Sequence, residues 1–196
     1  MVLNASKTKE LVIFFGTTPP NLLPLRVNGE GISSSDEACL LGLNITDNLK
    51  WSCHVDALLS KASRKLYLLI QLKRSGCSIR HLLQAYLTLI RPTLEYGCEV
   101  WHPGLNEELS KNLESIQKRA VKIILPHMSY DMGLSELNLT SLKSRRRTRC
   151  QKLYSHMQNP DHRLHSLLPE ERNIQYYLRG RSNTSHLHLA GQTTPS

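Results

Sequence analysis

Transfer of a phosphoryl or nucleotidyl group through two metal ions needs carboxylates gathered at one point. In this 196-residue chain Asp36, Asp47, Asp56, Asp131 and Asp161 stand singly, and no two aspartates are adjacent. Cys150, His156, His162 and His165 are the next candidates for chemistry, but their spacing matches no common zinc site. His54-Val55-Asp56 has the His-x-Asp spacing of an iron-binding facial triad. It falls at the predicted start of a helix with no barrel strands around it, so we read it as a chance match. No serine or cysteine has the neighbours of a nucleophile. Gly29-Glu30-Gly31 reads as a turn rather than a phosphate cradle. The expectation is a chain with no catalytic residues, no metal site and no cofactor.

Positive charge is what remains. Lys and Arg number 25 against 16 acids, and the pI is near 9.5. Such an excess favours a polyanionic partner, nucleic acid first and an anionic membrane surface second. The excess is uneven. Lys143, Arg145, Arg146, Arg147, Arg149 and Lys152 follow one another with no acid between them, and after Asn138 the acids are Asp161, Glu170 and Glu171. This run is expected to contact phosphates in a salt-dependent way. A nuclear-localisation reading of Lys143–Arg147 is less specific. Two further basic groups, Lys61 with Arg64 and Lys65, and Lys118 with Arg119, join it as candidate nucleic-acid contacts of low sequence specificity.

These side chains must be positioned by elements that the sequence pattern lets us place. Residues 1–50 read as strand and turn. Leu11–Phe15 is a short β-favouring run, closed by Gly16-Thr17-Thr18-Pro19-Pro20. Asn28-Gly29 after Arg26-Val27 is a two-residue hairpin signal, and Ala38–Leu43 fits a third strand. From residue 51 the period changes. Val55, Leu58, Leu59, Ala62, Leu66 and Leu69 recur at helical spacing, with Gly76 as the stop. A second helix carries Ile79, Leu82, Leu83, Tyr86 and Ile90, to be kinked or ended by Pro92. A third begins at the N-cap Asn106 and runs through Leu109, Leu113, Ile116, Ala120 and Ile123 to a stop at Pro126. A fourth is expected over Thr140–Met157.

The fold class is therefore α+β, mostly α: a short N-terminal β-meander, then a helical bundle, then an irregular tail. The divisions are 1–50, 51–126, 127–170 and 171–196, the last expected to be disordered. The meander is too small to be stable by itself, and Val12, Phe14 and Leu41 are exposed unless the helices cover them. Five widely spaced cysteines without a Cys-x-x-Cys pair suit a reduced compartment. With no signal-like N-terminus and no long apolar run, an intracellular chain of cytoplasm or nucleus is expected.

Several segments, in order, resemble the end of the reverse transcriptase of LINE-type (non-LTR) retrotransposons. Leu3-Asn4-Ala5-Ser6-Lys7-Thr8-Lys9 resembles a late palm motif, in which Lys7 corresponds to a lysine near the incoming nucleotide. Leu40-Leu41-Gly42-Leu43 with Asp47-Asn48-Leu49-Lys50-Trp51 resembles the primer-grip hairpin, with Leu40 where the family has tyrosine; Leu41 and Gly42 are the grip-like residues. Lys61–Tyr67, Ile90–Gly97 with Val100-Trp101-His102, and Leu113–Ala120 resemble the helical thumb. Arg145–Leu153 and Asn159–His162 resemble the segment beyond it. The resemblance covers roughly residues 1–170. It implies a thumb-side fragment without the family's aromatic-x-Asp-Asp pair, hence no polymerase activity and at most template–primer binding. Tyr96 and Trp101 are expected to pack the core rather than stack on bases. A basic nucleic-acid-binding module put to use by a host is an alternative. The Leu3–Phe15 stretch also resembles the N-terminal segment of the AlkB homologue that modifies wobble uridines in tRNA, which implies a non-catalytic accessory segment rather than an oxygenase core.

Overall fold

The computed structural model describes residue 4, residues 7–17 and residues 22–169. The expected tail 171–196, the Thr18-Pro19-Pro20 breaker and residues 3, 5 and 6 lie outside the described residues. The described chain is mixed α and β and mostly helical, with short strands confined to the N-terminal part.

Six short strands pair as three two-stranded ribbons. β1 (Lys9–Glu10) runs parallel to β4 (Ser33–Ser34). β2 (Arg26–Val27) and β3 (Glu30–Gly31) form the expected hairpin, with Asn28 and Gly29 both at positive φ as its two-residue turn requires. Leu11–Phe15, expected as a strand, pairs with no other strand among the described residues. An apolar run becomes a strand only where a neighbour takes its backbone groups. Here the partner β4 ends after two residues, and Phe15 is left exposed. The single strand expected over 38–43 is instead a hairpin. β5 (Glu37–Leu40) turns through Leu41 and Gly42, at φ of 49° and 82°, into β6 (Leu43–Thr46). The turn was hidden because its first position holds leucine, which adopts this backbone only under strain.

The helices follow their stripes closely. α1 (Ser52–Arg74) buries Val55, Leu58, Ala62, Leu66 and Leu69. Past its end, Gly76 takes φ 83°, and the amides of Gly76 and Cys77 donate back to the carbonyls of Lys73 and Leu72. That paired closure is a Schellman motif, available cheaply to glycine. Pro92 does not end the second helix. α2 (Ile79–Ala85) widens into a π turn over Tyr86–Ile90 and resumes as α3 (Arg91–Glu95). A proline ring cannot sit against the carbonyl four residues back in regular α geometry, and the wider turn lies immediately before it. Gly97, at φ 59°, then reverses the chain into α4 (Cys98–Trp101).

α5 (Glu107–Ile124) starts as expected, the Asn106 side chain accepting the Leu109 amide at 2.8 Å. The periodicity gave no sign of α6 (Tyr130–Glu136). α7 (Leu142–Met157) is the predicted fourth helix with Ser141 as its cap. One apolar core runs from Trp51 through Leu142, so the basic helix α7 closes the same body as the helices before it.

Candidate nucleic-acid interface

α7 carries no acid in its first turn, although a helix N-terminus favours negative charge. The charge comes from another helix. Glu114 of α5 accepts the amides of Leu142 and Lys143, each at 3.1 Å, one on each carboxylate oxygen. Ser141 Oγ accepts the Ser144 amide. The same Glu114 accepts the Tyr130 hydroxyl. Gln117 donates to Tyr130 Oη and to the Thr140 carbonyl, and accepts from Tyr86. Burial pushes the Tyr86 and Tyr130 phenols up, so both stay protonated donors. This polar chain was missed in the sequence. One trace of it was there: Gln117 is a polar residue on the apolar stripe of Leu113, Ile116 and Ala120.

The expected basic face of α7 is largely occupied from within. Arg145 forms a two-pronged pair with Glu95, a carboxylate only 4% exposed. Arg149 pairs with Glu99 at 2.8 Å and reaches Glu95 at 3.7 Å. Lys143 pairs with Glu107. Arg146 is completely buried, its guanidinium 5.8 Å from the centre of the Trp101 ring and one nitrogen donating to Ser110. This corrects the reading of the run as a phosphate-facing strip: Arg146 cannot reach solvent, and three of its neighbours each face a carboxylate. Arg147 and Lys152 are exposed without an ion pair among the described residues.

Of the other candidates, Lys65 is also engaged. Its ammonium donates to the Leu89 carbonyl at 2.9 Å and to Thr93, beside the π turn. Lys61 and Arg64 stay exposed on α1, and Lys118 and Arg119 on α5. The last two line a cleft of about 360 Å³ together with Lys122, which the sequence reading had not included.

The grip-like hairpin meets the helical body through β6, whose Leu43 and Ile45 pack on the core, and through its tip. Tyr96 Oη donates to the Leu41 carbonyl at 2.9 Å. A Cβ on Gly97 would stand 3.1 Å from the Leu43 side chain. Leu40 and Leu41 themselves are exposed, Leu41 by 82%. Trp101 is fully buried and donates to the Tyr96 carbonyl, so it packs the core as expected, whereas Tyr96, expected there too, has an exposed side chain that reaches the hairpin instead. Lys7, the palm-type lysine, is exposed.

His54 lies buried between Trp51 and Trp101, with ring centres 6.0 and 5.7 Å away, and its Nδ1 accepts the Asn44 amide. Asp56 is exposed, and residues two apart on a helix point in different directions. Among the described residues, no three His, Cys, Asp or Glu side chains converge as a metal would require. No helix among them is long and apolar enough to cross a membrane. Burial pushes the Cys98 thiol up to about 12, so it remains a neutral core group.

Burial, with Lys61 adding to it, lowers the His54 pKa, and burial beside Arg146 and Lys143 lowers that of His102. The unfolded chain therefore takes up protons first as pH falls. Stability from these groups is fully present above about pH 6.5, the unfolded value, and declines as pH drops through the depressed folded values. The urea midpoint is expected to fall between pH 7.5 and 5.5. In His54→Gln the fall should be shallower; an unchanged slope in that variant would show that His54 does not carry it.

Searched against known protein families, curated proteins and solved structures, the chain matches none of them.

Proposed function

We propose that this chain is a non-catalytic remnant of a LINE-type reverse transcriptase, running from the last palm strands through the thumb, and that it keeps a low-specificity affinity for a template–primer duplex. One observation carries the reading. Two segments that resemble separate motifs of that family, the grip-like hairpin and the Ile90–Gly97 segment, are joined by the hydrogen bond from Tyr96 to Leu41, 55 residues earlier in the chain. At the hairpin tip Leu40 and Leu41 face solvent, and Leu41 is held in a left-handed backbone that leucine adopts only under strain, as a surface built to meet a strand end would be. Residues that carry the resemblance also hold the body together: Glu95 binds α7, Trp101 fills the core, and Glu114 caps α7.

The remaining free cations set the scale of binding. With Arg145, Arg146, Arg149, Lys143 and Lys65 engaged internally, phosphate contact falls to Lys61, Arg64, Lys118, Arg119, Lys122, Arg147 and Lys152. Affinity should therefore be modest and lose a few powers of the salt concentration, about 0.9 per phosphate neutralised on a duplex. The test is fluorescence anisotropy of a labelled RNA–DNA hybrid across a salt series, with primer extension assayed in parallel. We expect salt-dependent binding, a smaller slope for Lys61→Gln/Arg64→Gln, and no extension. Binding that ignores salt, or extension abolished by mutating the chain's own aspartates, would overturn the proposal.

A further inference from the structure

We infer that the cleft between α5 and the loop before α6 is a subsite for one phosphate-bearing nucleotide unit of a nucleic-acid strand; this rests on the nucleic-acid reading above. Lys118, Arg119 and Lys122 line it with Ser129 and Tyr130, and no acid does. None of the three cations has an ion pair among the described residues. Like charges three and four residues apart on a helix repel, and elsewhere in this fold Arg145, Arg149 and Lys143 each face a carboxylate. Here no carboxylate of the described residues comes within ion-pair distance of the three cations, which leaves them available to an anion.

The cleft is also pre-organised. Lys118 Nζ stands 5.3 Å from the centre of the Tyr130 ring. That ring cannot swing, because its hydroxyl is tied to Glu114 and Gln117. The Ser129 hydroxyl accepts the Met132 amide and keeps its own proton to donate. Val121 and Met128 supply apolar wall. A volume of about 360 Å³ lies within the range of ligand pockets, about 300–1,000 Å³. The combination of cations with an apolar wall suits a phosphate with its sugar better than a free ion.

The test uses the full chain with ¹³C-methyl-labelled methionine. It is titrated separately with an RNA–DNA hybrid and with inorganic phosphate, and compared with Arg119→Gln/Lys122→Gln. Lys118 is left in place because it packs on Tyr130. We expect the hybrid to shift the Met128 methyl signal, and the variant to lose that shift, bind about tenfold more weakly and show a log–log salt slope smaller by about 2. If the hybrid binds but Met128 stays still and the variant binds equally well, this subsite is wrong while the wider proposal stands. If phosphate moves Met128 and the hybrid does not bind, the cleft is a free-anion site and the nucleic-acid assignment falls. If neither binds, both readings fall.

Discussion

Arg145→Ala should unfold at a urea concentration about 1 M below the parent chain. Removing this guanidinium leaves Glu95, 4% exposed, with only the 3.7 Å approach of Arg149 to offset its charge. Breaking one partner out of a buried pair costs about 3–5 kcal/mol. Arg145 is one-third exposed and Arg149 stays nearby, so about 2–3 kcal/mol is the expected loss here. With a urea slope of about 1–3 kcal/mol/M, that gives the stated shift. Two controls separate this from a loss of packing. Lys143→Ala removes an ion pair whose members are 56% and 61% exposed, and should leave the urea midpoint nearly unchanged. Glu95→Leu/Arg145→Met replaces both charges by apolar groups and should recover most of the loss, because an uncompensated buried charge rather than a missing attraction causes it. A midpoint for Arg145→Ala equal to that of Lys143→Ala would show that the buried pair does not hold α7 in place.

Trp101→Ala is expected to have the larger effect of the two, about 3–5 kcal/mol. The indole is completely buried, and its ring nitrogen donates to the Tyr96 carbonyl at 2.9 Å. Its faces and edges also meet the His54 ring and the Arg146 guanidinium. Removing it leaves a cavity, frees the Tyr96 carbonyl and takes the aromatic face away from a buried cation at once. For a domain whose whole stability is about 5–15 kcal/mol, that loss brings folding close to failure. Loss of near-ultraviolet dichroism and a non-cooperative thermal transition are the expected observations. Trp101→Phe keeps the ring and gives up the donor, so it should fall between the two. A cooperative transition for Trp101→Ala within about 1 kcal/mol of the parent would mean that the site collapses around the loss far better than cores usually do.

Both predictions concern residues whose identity was visible in the sequence and whose partners were not. The Ile90–Gly97 and Val100–His102 segments stood out by their motif, and Trp101 was expected in the core. That Glu95 is a buried carboxylate waiting for an arginine 50 residues away was not legible. The basic run of α7 shows the same limit from the other side. Read as a string, six cations without an acid describe a polyanion-binding face. In the fold, Glu95, Glu99 and Glu107 come from three other segments to meet them, and Arg146 turns inward. The surviving candidate site, around Lys118 and Arg119, was half seen. Lys122 shares α5 with them, but Ser129 and Tyr130 join it only because α6 folds back against α5.

What the amino-acid sequence determined without help was everything set within a turn or two of the chain. The stripes of α1 and α5, the Asn106 cap, the glycine closure after Arg74 and the Asn28-Gly29 hairpin all depend on atoms a few residues apart, whose geometry the backbone itself dictates. The tertiary structure decided whether Leu11–Phe15 found a strand partner, how the chain passed Pro92, and which positive charges face solvent. Those outcomes depend on what another element brings alongside. An arginine costs least to desolvate where a carboxylate, a hydroxyl or an aromatic face is waiting, and none of these can be located by counting along the chain.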